Sequence, residues 1–340
     1  MDVLVIGAGQ AGLSSAHHLR RTGFDGRFAV LDADAAPGGA WQHRWPSLRL
    51  GGVHGVHDLP GLRLEEQDGQ RPAAQVISEY FDRYERAFAL PVHRPVQVRA
   101  VRRSGERLLV AGDETWSARA VINATGTWTR PFVPRYPGQD RFRGRQLHTA
   151  DYRGPEPFRG SRVVVVGGGI SAVELLTEIA EVADTTWMTR RPPVFTGEFG
   201  PDDGRAAVAE ADRRVRAGQP PGSVVSLTGL PDTAGVRRAR ESGVLHREPV
   251  FRALTPRGFV DADGRERPAD VILWATGFRA ALDHLAPLGL REPGGGIRMD
   301  GTQVVAEPRL QLVGYGPSAS TVGATRAGRE AVTRVRRLLG

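Results

Sequence analysis

Two stretches of this 340-residue chain place glycines where a backbone must come close to a phosphate. The first is Gly7-Ala8-Gly9-Gln10-Ala11-Gly12, which follows the apolar run Val3-Leu4-Val5-Ile6 and precedes a helix predicted over residues 13–22. In a strand–turn–helix unit of this kind the first glycine makes the tight turn. The second lets the main chain approach a pyrophosphate, and the third lets helix pack on strand. The helix N-terminus then offers unpaired N–H groups and the positive end of its dipole to an anion. Asp32 closes the next apolar run, 20 residues beyond Gly12, where an acid accepts ribose hydroxyls. Glycines alone would be a weak signal. Strand, glycines, helix and acid in register predict a dinucleotide site.

The second stretch is Gly167-Gly168-Gly169-Ile170-Ser171-Ala172, between an apolar run at 163–166 and a helix predicted over 173–183. It is the same device with alanine at the packing position. The strand predicted over 185–189 ends in Arg190-Arg191 instead of an acid. Guanidinium groups form charge-assisted, often bidentate bonds with phosphate, each worth about 1.5–3 kcal/mol. One such contact favours a 2′-phosphorylated coenzyme by roughly tenfold. NADPH is the expected donor, with NADH left open as a second.

Composition narrows the remaining chemistry. The chain has no cysteine, which removes disulfides, thiolate metal sites and any redox-active dithiol. No Ser/His/Asp constellation is present, and the histidines have no partners at ligand spacing, so no metal site is expected. The net charge is +8 and every basic residue is arginine. The pairs Arg213-Arg214, Arg237-Arg238 and Arg336-Arg337 lie in helix-like or linker segments with acids nearby, which predicts solvated faces and no nucleic-acid surface. A positive field would still draw in anionic dinucleotides. The longest apolar stretch, residues 163–176, is broken by three glycines and a glutamate and predicts no membrane span. The first strand begins at Val3 with no basic leader before it, so the expectation is a cytoplasmic protein.

The two nucleotide units, each followed later by a strand ending in Ala-Thr-Gly (Ala124-Thr125-Gly126 and Ala275-Thr276-Gly277), predict one domain inserted in another. The fold class is α/β, with two Rossmann-like dinucleotide-binding domains: residues 1–152 and 270–340 form the first, and residues 153–269 the inserted second. The expected joints are the Pro- and Gly-rich segments 153–160 and 265–268. Residues 197–249 show weak periodicity and read as irregular, with one helix near 206–217. A helix is expected over 320–339.

Between the two units runs Phe142-Arg143-Gly144-Arg145-Gln146-Leu147-His148-Thr149-Ala150-Asp151-Tyr152. This spacing resembles the Phe-x-Gly-x-x-x-His-x-x-x-Tyr signature of flavin-containing monooxygenases, related to a form ending in Trp in Baeyer–Villiger monooxygenases. Pro37-Gly38-Gly39-Ala40-Trp41 is similar to the flavin-contacting turn of FAD-dependent monooxygenases, and the resemblance extends over essentially the whole chain. It implies FAD at the first site and NADPH at the second. The candidate cofactor contacts are Gly7, Gly9, Gln10, Ala11, Gly12, Asp32, Ala33, Gly39, Trp41, Trp45, Leu48, Val98, Thr125, Gly126, Gly167, Gly169, Ile170, Ser171, Arg190, Arg191, Thr276, Gly277 and Gly314. The N-terminus of the last helix is expected to point at the flavin, where its dipole favours negative charge.

The implied reaction carries its chemistry on the flavin: NADPH reduces it, dioxygen adds as a C4a-hydroperoxide, and one oxygen passes to a small sulfide, amine or ketone. The catalytic candidates among the side chains are His54, His148 and Tyr152; the last two are implied to position domains and coenzyme, not to act as an acid–base pair. Two departures from the family stand out. Tyr315 occupies the place where disulfide reductases carry an aspartate, and Leu50-Gly51-Gly52-Val53-His54 replaces an asparagine found near the flavin in larger relatives, leaving His54 or His57 to substitute. An NAD(P)H oxidase that transfers no oxygen, and a sensor that holds FAD structurally, are the competing readings. The partners are small molecules and dioxygen, with neither nucleic acid nor membrane, and a homodimer stays open.

Overall fold

The computed structural model describes residues 1–340 apart from 25, 54–55, 197–200 and 223–228. Two compact units divide the chain. One comprises Met1–Thr127, Arg205–Gly222 and Ala280–Gly340; the other comprises Trp128–Gly204 and Ser223–Arg279. Residues 153–160 and 265–268 both lie inside the second unit. The strand Arg145–His148 pairs in parallel with Val271–Trp274, and this pairing draws the residues ahead of 153 into that unit as well.

The first unit is built on a seven-stranded sheet. Its centre is the parallel trio Ala120–Asn123, Val3–Ile6 and Phe28–Leu31, and its order continues outward to Glu307–Leu312 on one side and Val92–His93 on the other. Val3–Ile6 and Ala120–Asn123 are buried along their whole length. Continuous apolar runs, not alternating ones, are what a sheet covered on both faces demands. Val3 and Val5 pack with residues of the helices Gln10–Arg21, Ala73–Ala87 and Thr321–Leu339. Leu4 and Ile6 pack with the antiparallel sheet Ala100–Ser104, Arg107–Ala111 and Thr115–Ala118 and with the turn Asp283–Leu288.

Three helices of this unit position its glycine turn. Ala73–Ala87 directs Val76, Ile77, Tyr80, Phe81 and Tyr84 inward, an i, i+4, i+8 stripe. Its two tyrosines pin the loop before it: Tyr80 Oη donates to Leu62 O at 2.7 Å and accepts from Leu59 N at 2.7 Å, and Tyr84 Oη donates to Pro60 O at 2.7 Å. Gln10–Arg21 and Thr321–Leu339 pack backbone to backbone. A Cβ on Gly328 would stand 2.8 Å from Ser14 Oγ and 3.0 Å from Ser15 N, and Ser14 Oγ donates to Thr325 O at 3.0 Å. Ser320 caps the last helix by accepting from Gly323 N at 3.1 Å.

The second unit carries a five-stranded parallel sheet in the order Arg247–Pro249, Asp184–Thr189, Arg162–Val166, Val271–Trp274, Arg145–His148. One face, with Val164, Val166, Ile272 and Trp274, packs on Phe251 and Phe259 beside the antiparallel strands Ala253–Thr255, Gly258–Val260 and Glu266–Pro268. Its helix starts at Ile170, inside the glycine motif and three residues before the predicted start. Residues 201–216 are helical where 206–217 was expected, and those from Arg205 on belong to the first unit; in the second, an unforeseen helix, Ala234–Glu241, is capped by Thr233 Oγ1 accepting from Val236 N at 3.2 Å. That helix has eight residues, three of them arginine, and it is too short to stand out from the Gly- and Pro-rich stretch around it. None of the described helices is long and apolar enough to cross a membrane.

The helix contact at Gly328 is tight enough to be tested. Gly328→Val is expected to cost about 1–3 kcal/mol through overpacking, read as a lower urea midpoint with an unchanged slope.

Candidate functional site

In the first glycine turn, two of the three glycines are required by the protein's own backbone. Gly7 has φ +98°, a left-handed conformation that strains any L side chain, and a Cβ there would lie 2.6 Å from Ala124 O. A Cβ on Gly12 would fall 1.8 Å from Gly7 O. Gly9 differs: nothing stands within 4 Å of its Cβ position, and it caps the helix without a side-chain bond. The helix start is therefore open where a pyrophosphate would need it. Gly39, expected to admit the cofactor backbone, has another reason to be glycine. Its Cβ would meet Gly9 Cα at 2.8 Å, so the second glycine pair packs on the first turn itself.

The residues around this turn hold each other. Gln10 Nε2 donates to Thr325 Oγ1 at 3.3 Å and to His57 O at 3.1 Å, which ties the first turn of Gln10–Arg21 to the second turn of Thr321–Leu339 and to the 57–64 loop. Gly314 passes the same helix start, with its Cβ position 3.7 Å from Ala11 Cβ. Tyr315 turns into the core with Leu4 and Ile6. Trp41 and Leu48 pack at the edge of the other core cluster, Trp45 is buried, Ala33 is exposed, and Val98 is a core residue beside Leu4.

Asp32 is buried and already engaged. Its Oδ2 accepts from Arg94 Nε at 3.0 Å, and Arg94 grips Glu85 with both terminal nitrogens at 2.6 and 2.7 Å. Burial raises the Asp32 pKa against the opposing pull of Arg94. Arg94, which the sequence did not single out, keeps an otherwise costly buried carboxylate in place.

A polar chain runs under the first Ala-Thr-Gly turn. His284 Nε2 donates to Asn123 Oδ1 at 2.6 Å, Asn123 Nδ2 donates to Thr125 Oγ1 at 3.0 Å, and Thr125 Oγ1 donates to Ala281 O at 2.7 Å. Ala281 N returns a bond to Gly126 O at 2.9 Å. The second unit repeats the device. Thr276 Oγ1 donates to Phe132 O, and Phe132 N donates to Gly277 O at 2.9 Å. In each case one threonine hydroxyl and one glycine carbonyl bracket a single passing residue.

The second glycine turn is also built against its Ala-Thr-Gly partner. Gly167, at φ +150°, leaves no room for a Cβ, which would sit 2.1 Å from Ala275 O; Ala172 is buried at the packing position. Gly169 caps Ile170–Ile179 without a side-chain bond, leaving the N–H groups of the first turn, including Ser171, free of a cap. Trp187 Nε1 donates to Gly167 O at 2.7 Å. Arg190 and Arg191 are exposed and have no carboxylate partner among the described residues.

The signature segment braces this second turn. His148 is buried, accepts at Nδ1 from Ala150 N at 3.1 Å, and donates from Nε2 to Gly277 O at 3.0 Å. Those bonds fix a neutral ring, and burial lowers its pKa. Tyr152 is buried against Phe158, and its phenol pKa is pushed up by burial, with the Glu178 carboxylate of Ile170–Ile179 adding to the rise. Gly144 is glycine because a Cβ would strike both Asp270 O and the Phe142 ring at 2.4 Å. His148 is therefore committed to structural bonds, and Tyr152 to packing in the core of its unit. His57 has an exposed side chain, and His54 lies outside the described residues. A cavity of about 600 Å³ opens by the carboxyl ends of Arg145–His148 and Val271–Trp274, lined by Tyr136, Gln146, His148, Asp151 and Trp274. A larger one, about 830 Å³, lies at the amino edge of the first sheet among Asp2, Arg119 and the ends of two helices, away from that unit's glycine turn.

Residues 4–202 match the family model described as pyridine nucleotide-disulphide oxidoreductase. The flavin-containing monooxygenase from Stenotrophomonas maltophilia is 40% identical, with a TM-score of 0.85 over 100% of this chain and 99% of that one; a doubly substituted form gives 41% and 0.86. A curated relative from Geobacillus kaustophilus (strain HTA426), the "Uncharacterized oxidoreductase CzcO-like", is 30% identical over 182 residues, 53% of this chain and 52% of that protein. The chain spans about half the length of this and the next curated relatives it matches. The structure of OTEMO complexed with FAD and NADP has the same fold, with a TM-score of 0.70 at 18% identity over 100% of this chain and 85% of that one.

The His284 chain sets a pH dependence. Burial lowers the His284 pKa to about 4, and His18 is lowered to about 4 as well, against 6.5 for a free ring. Between those values the unfolded chain binds protons that the fold refuses. Stability is then full above pH 6.5 and falls as pH drops toward 4. Thermal unfolding followed across this window should show a shallower acid limb for His284→Gln.

Proposed function

We propose the following activity for a chain that belongs to the pyridine nucleotide-disulphide oxidoreductase family and, within it, to the flavin-containing monooxygenases: an oxidoreductase that uses FAD, NADPH and dioxygen to place one oxygen atom on a small soft nucleophile or a ketone. The observation that carries it is the pair of glycine turns, each closed by an Ala-Thr-Gly carbonyl and each open at its last capping glycine, Gly9 or Gly169. A chain without cysteine has no dithiol to pass electrons to a disulfide, so the family's other chemistry is closed to it. The OTEMO structure, which carries FAD and NADP on this fold, supports the same pair of cofactors here.

In this reading the first unit holds FAD. The open helix start at Gly9 faces its pyrophosphate, and the Ser320-capped start of the last helix faces its ring, each with a positive dipole end. Asp32, oriented by Arg94, accepts the adenosine ribose, and Trp41 stands beside the ring. The second unit holds NADPH, with its pyrophosphate on Gly167–Ser171 and its 2′-phosphate on Arg190 and Arg191. Bound together, the cofactors supply hydride transfer and the activation of dioxygen. The chain supplies binding, orientation and electrostatics. His148 and Tyr152 hold the coenzyme turn: the ring nitrogens of His148 are spent on Gly277 and Ala150, and burial beside Glu178 keeps the Tyr152 phenol protonated.

Leu50–Gly52, a 3-10 turn with no side-chain donor, favours a second reading in which NADPH is oxidised and only peroxide forms. Turnover of a thioether under ¹⁸O₂ separates the two. One labelled oxygen in the sulfoxide per NADPH supports monooxygenation, whereas stoichiometric hydrogen peroxide without sulfoxide sinks it. Replacing Arg190 and Arg191 by Ala is expected to raise KM for NADPH roughly tenfold or more, one charge-assisted contact's worth, with kcat and KM for NADH little changed.

A further inference from the structure

The end of Asp184–Thr189 carries a cation that the sequence did not place there. Arg247 begins the strand Arg247–Pro249, pairs with Trp187 in the parallel register, and reaches two residues along it to Thr189. Its Nε donates to Thr189 Oγ1 at 2.9 Å and its Nη2 donates to Thr189 O at 3.0 Å. Since the hydroxyl accepts from Arg247, its own proton is free for Arg191 O, 2.7 Å away. The relay Arg247–Thr189–Arg191 thereby fixes the turn from which Arg190 and Arg191 project.

The same corner adjoins the coenzyme turn. A Cβ on Gly168 would be 3.6 Å from Thr189 Cγ2, and Trp187, the register partner of Arg247, bonds Gly167 O at 2.7 Å. Arg247 is only partly exposed, and its hydrogen bonds go to a hydroxyl and a carbonyl; no described acid neutralises it. Its neighbour Glu248 is taken by Arg267. Three guanidinium groups thus share one strand end with no carboxylate among the described residues. A guanidinium has five N–H donors, and Thr189 uses two of those of Arg247.

We propose that Arg247 is a specificity-determining positioning residue for the coenzyme: it locks the 189–191 turn and adds a third positive charge, so that this corner selects a 2′-phosphorylated adenosine. The inference rests on the assignment of NADPH to the second unit. Its test is calorimetric binding of 2′,5′-ADP and of 5′-AMP, which differ by the 2′-phosphate and need no turnover. The wild-type protein should bind 2′,5′-ADP at least tenfold more tightly. Arg247→Gln should lose tenfold or more in 2′,5′-ADP affinity with 5′-AMP changed less than twofold, and Arg247→Lys should recover part of the loss. Thr189→Val, which keeps all three arginines and removes only the relay hydroxyl, should show a smaller loss of the same selectivity and guards against a misfolded Arg247 variant. Equal losses for both ligands, or unchanged affinity for 2′,5′-ADP in Arg247→Gln, would overturn the role of Arg247 while leaving the coenzyme assignment intact. A wild-type protein indifferent to the 2′-phosphate would overturn the assignment first.

Discussion

A carbonyl lying where a side chain would begin governs both units. Ala124 O occupies the Cβ position of Gly7, and Ala275 O that of Gly167. Each carbonyl belongs to the turn after a central buried strand, and each glycine to the turn after its parallel neighbour. Any side chain at Gly7 or Gly167 would push those two strand ends apart. The close approach starts the helix directly after the strand, and the first N–H groups, unpaired as in any helix, are the ones proposed to bind a phosphate.

The polar interactions around each turn keep this approach fixed. Threonine hydroxyls and glycine carbonyls of the two Ala-Thr-Gly turns bracket Ala281 in one unit and Phe132 in the other. The rest of each network is local: His284 and Asn123 feed the first turn, while His148 feeds the second through Gly277. Buried polar atoms left unpaired are expensive, so every member of such a chain restrains the next. The signature residues His148 and Tyr152 gain their importance from this bracing. They set the second glycine turn and its helix, and in the proposed function the redox chemistry belongs to what the turns hold.

Much of this was legible in the residues. Val3–Ile6 and residues 163–166 are short, unbroken apolar runs followed at once by glycines, and no other local structure satisfies both features. The helix Thr321–Leu339 announced itself by its period. Ala73–Ala87 carried an equally clear stripe at Val76, Tyr80 and Tyr84, which could have been read as a helix. Ala234–Glu241 was harder to read, because its eight residues make barely two turns and lie in a stretch rich in glycine, proline and arginine. Asp32 and Arg190 were visible as chain-local endings of strands, whereas Arg94 and Arg247 were not. Their roles come from side chains that cross to a neighbouring strand, and nothing in their spacing marks such a reach.

By itself, then, the order of residues determined which segments become glycine turns at the start of a helix, because that depends on conformational freedom at single glycines and on the helix that follows within a few residues. It also determined that no thiol chemistry is available. Tertiary structure decided what surrounds those turns: that Gly39 makes room for Gly9, that Tyr315 points into the core, that Arg94 steadies Asp32, and that Arg247 stands behind Arg191. These are contacts between residues tens to hundreds of positions apart, set by strand register and by helices packing at glycine and serine, and such distances carry no local trace in the chain.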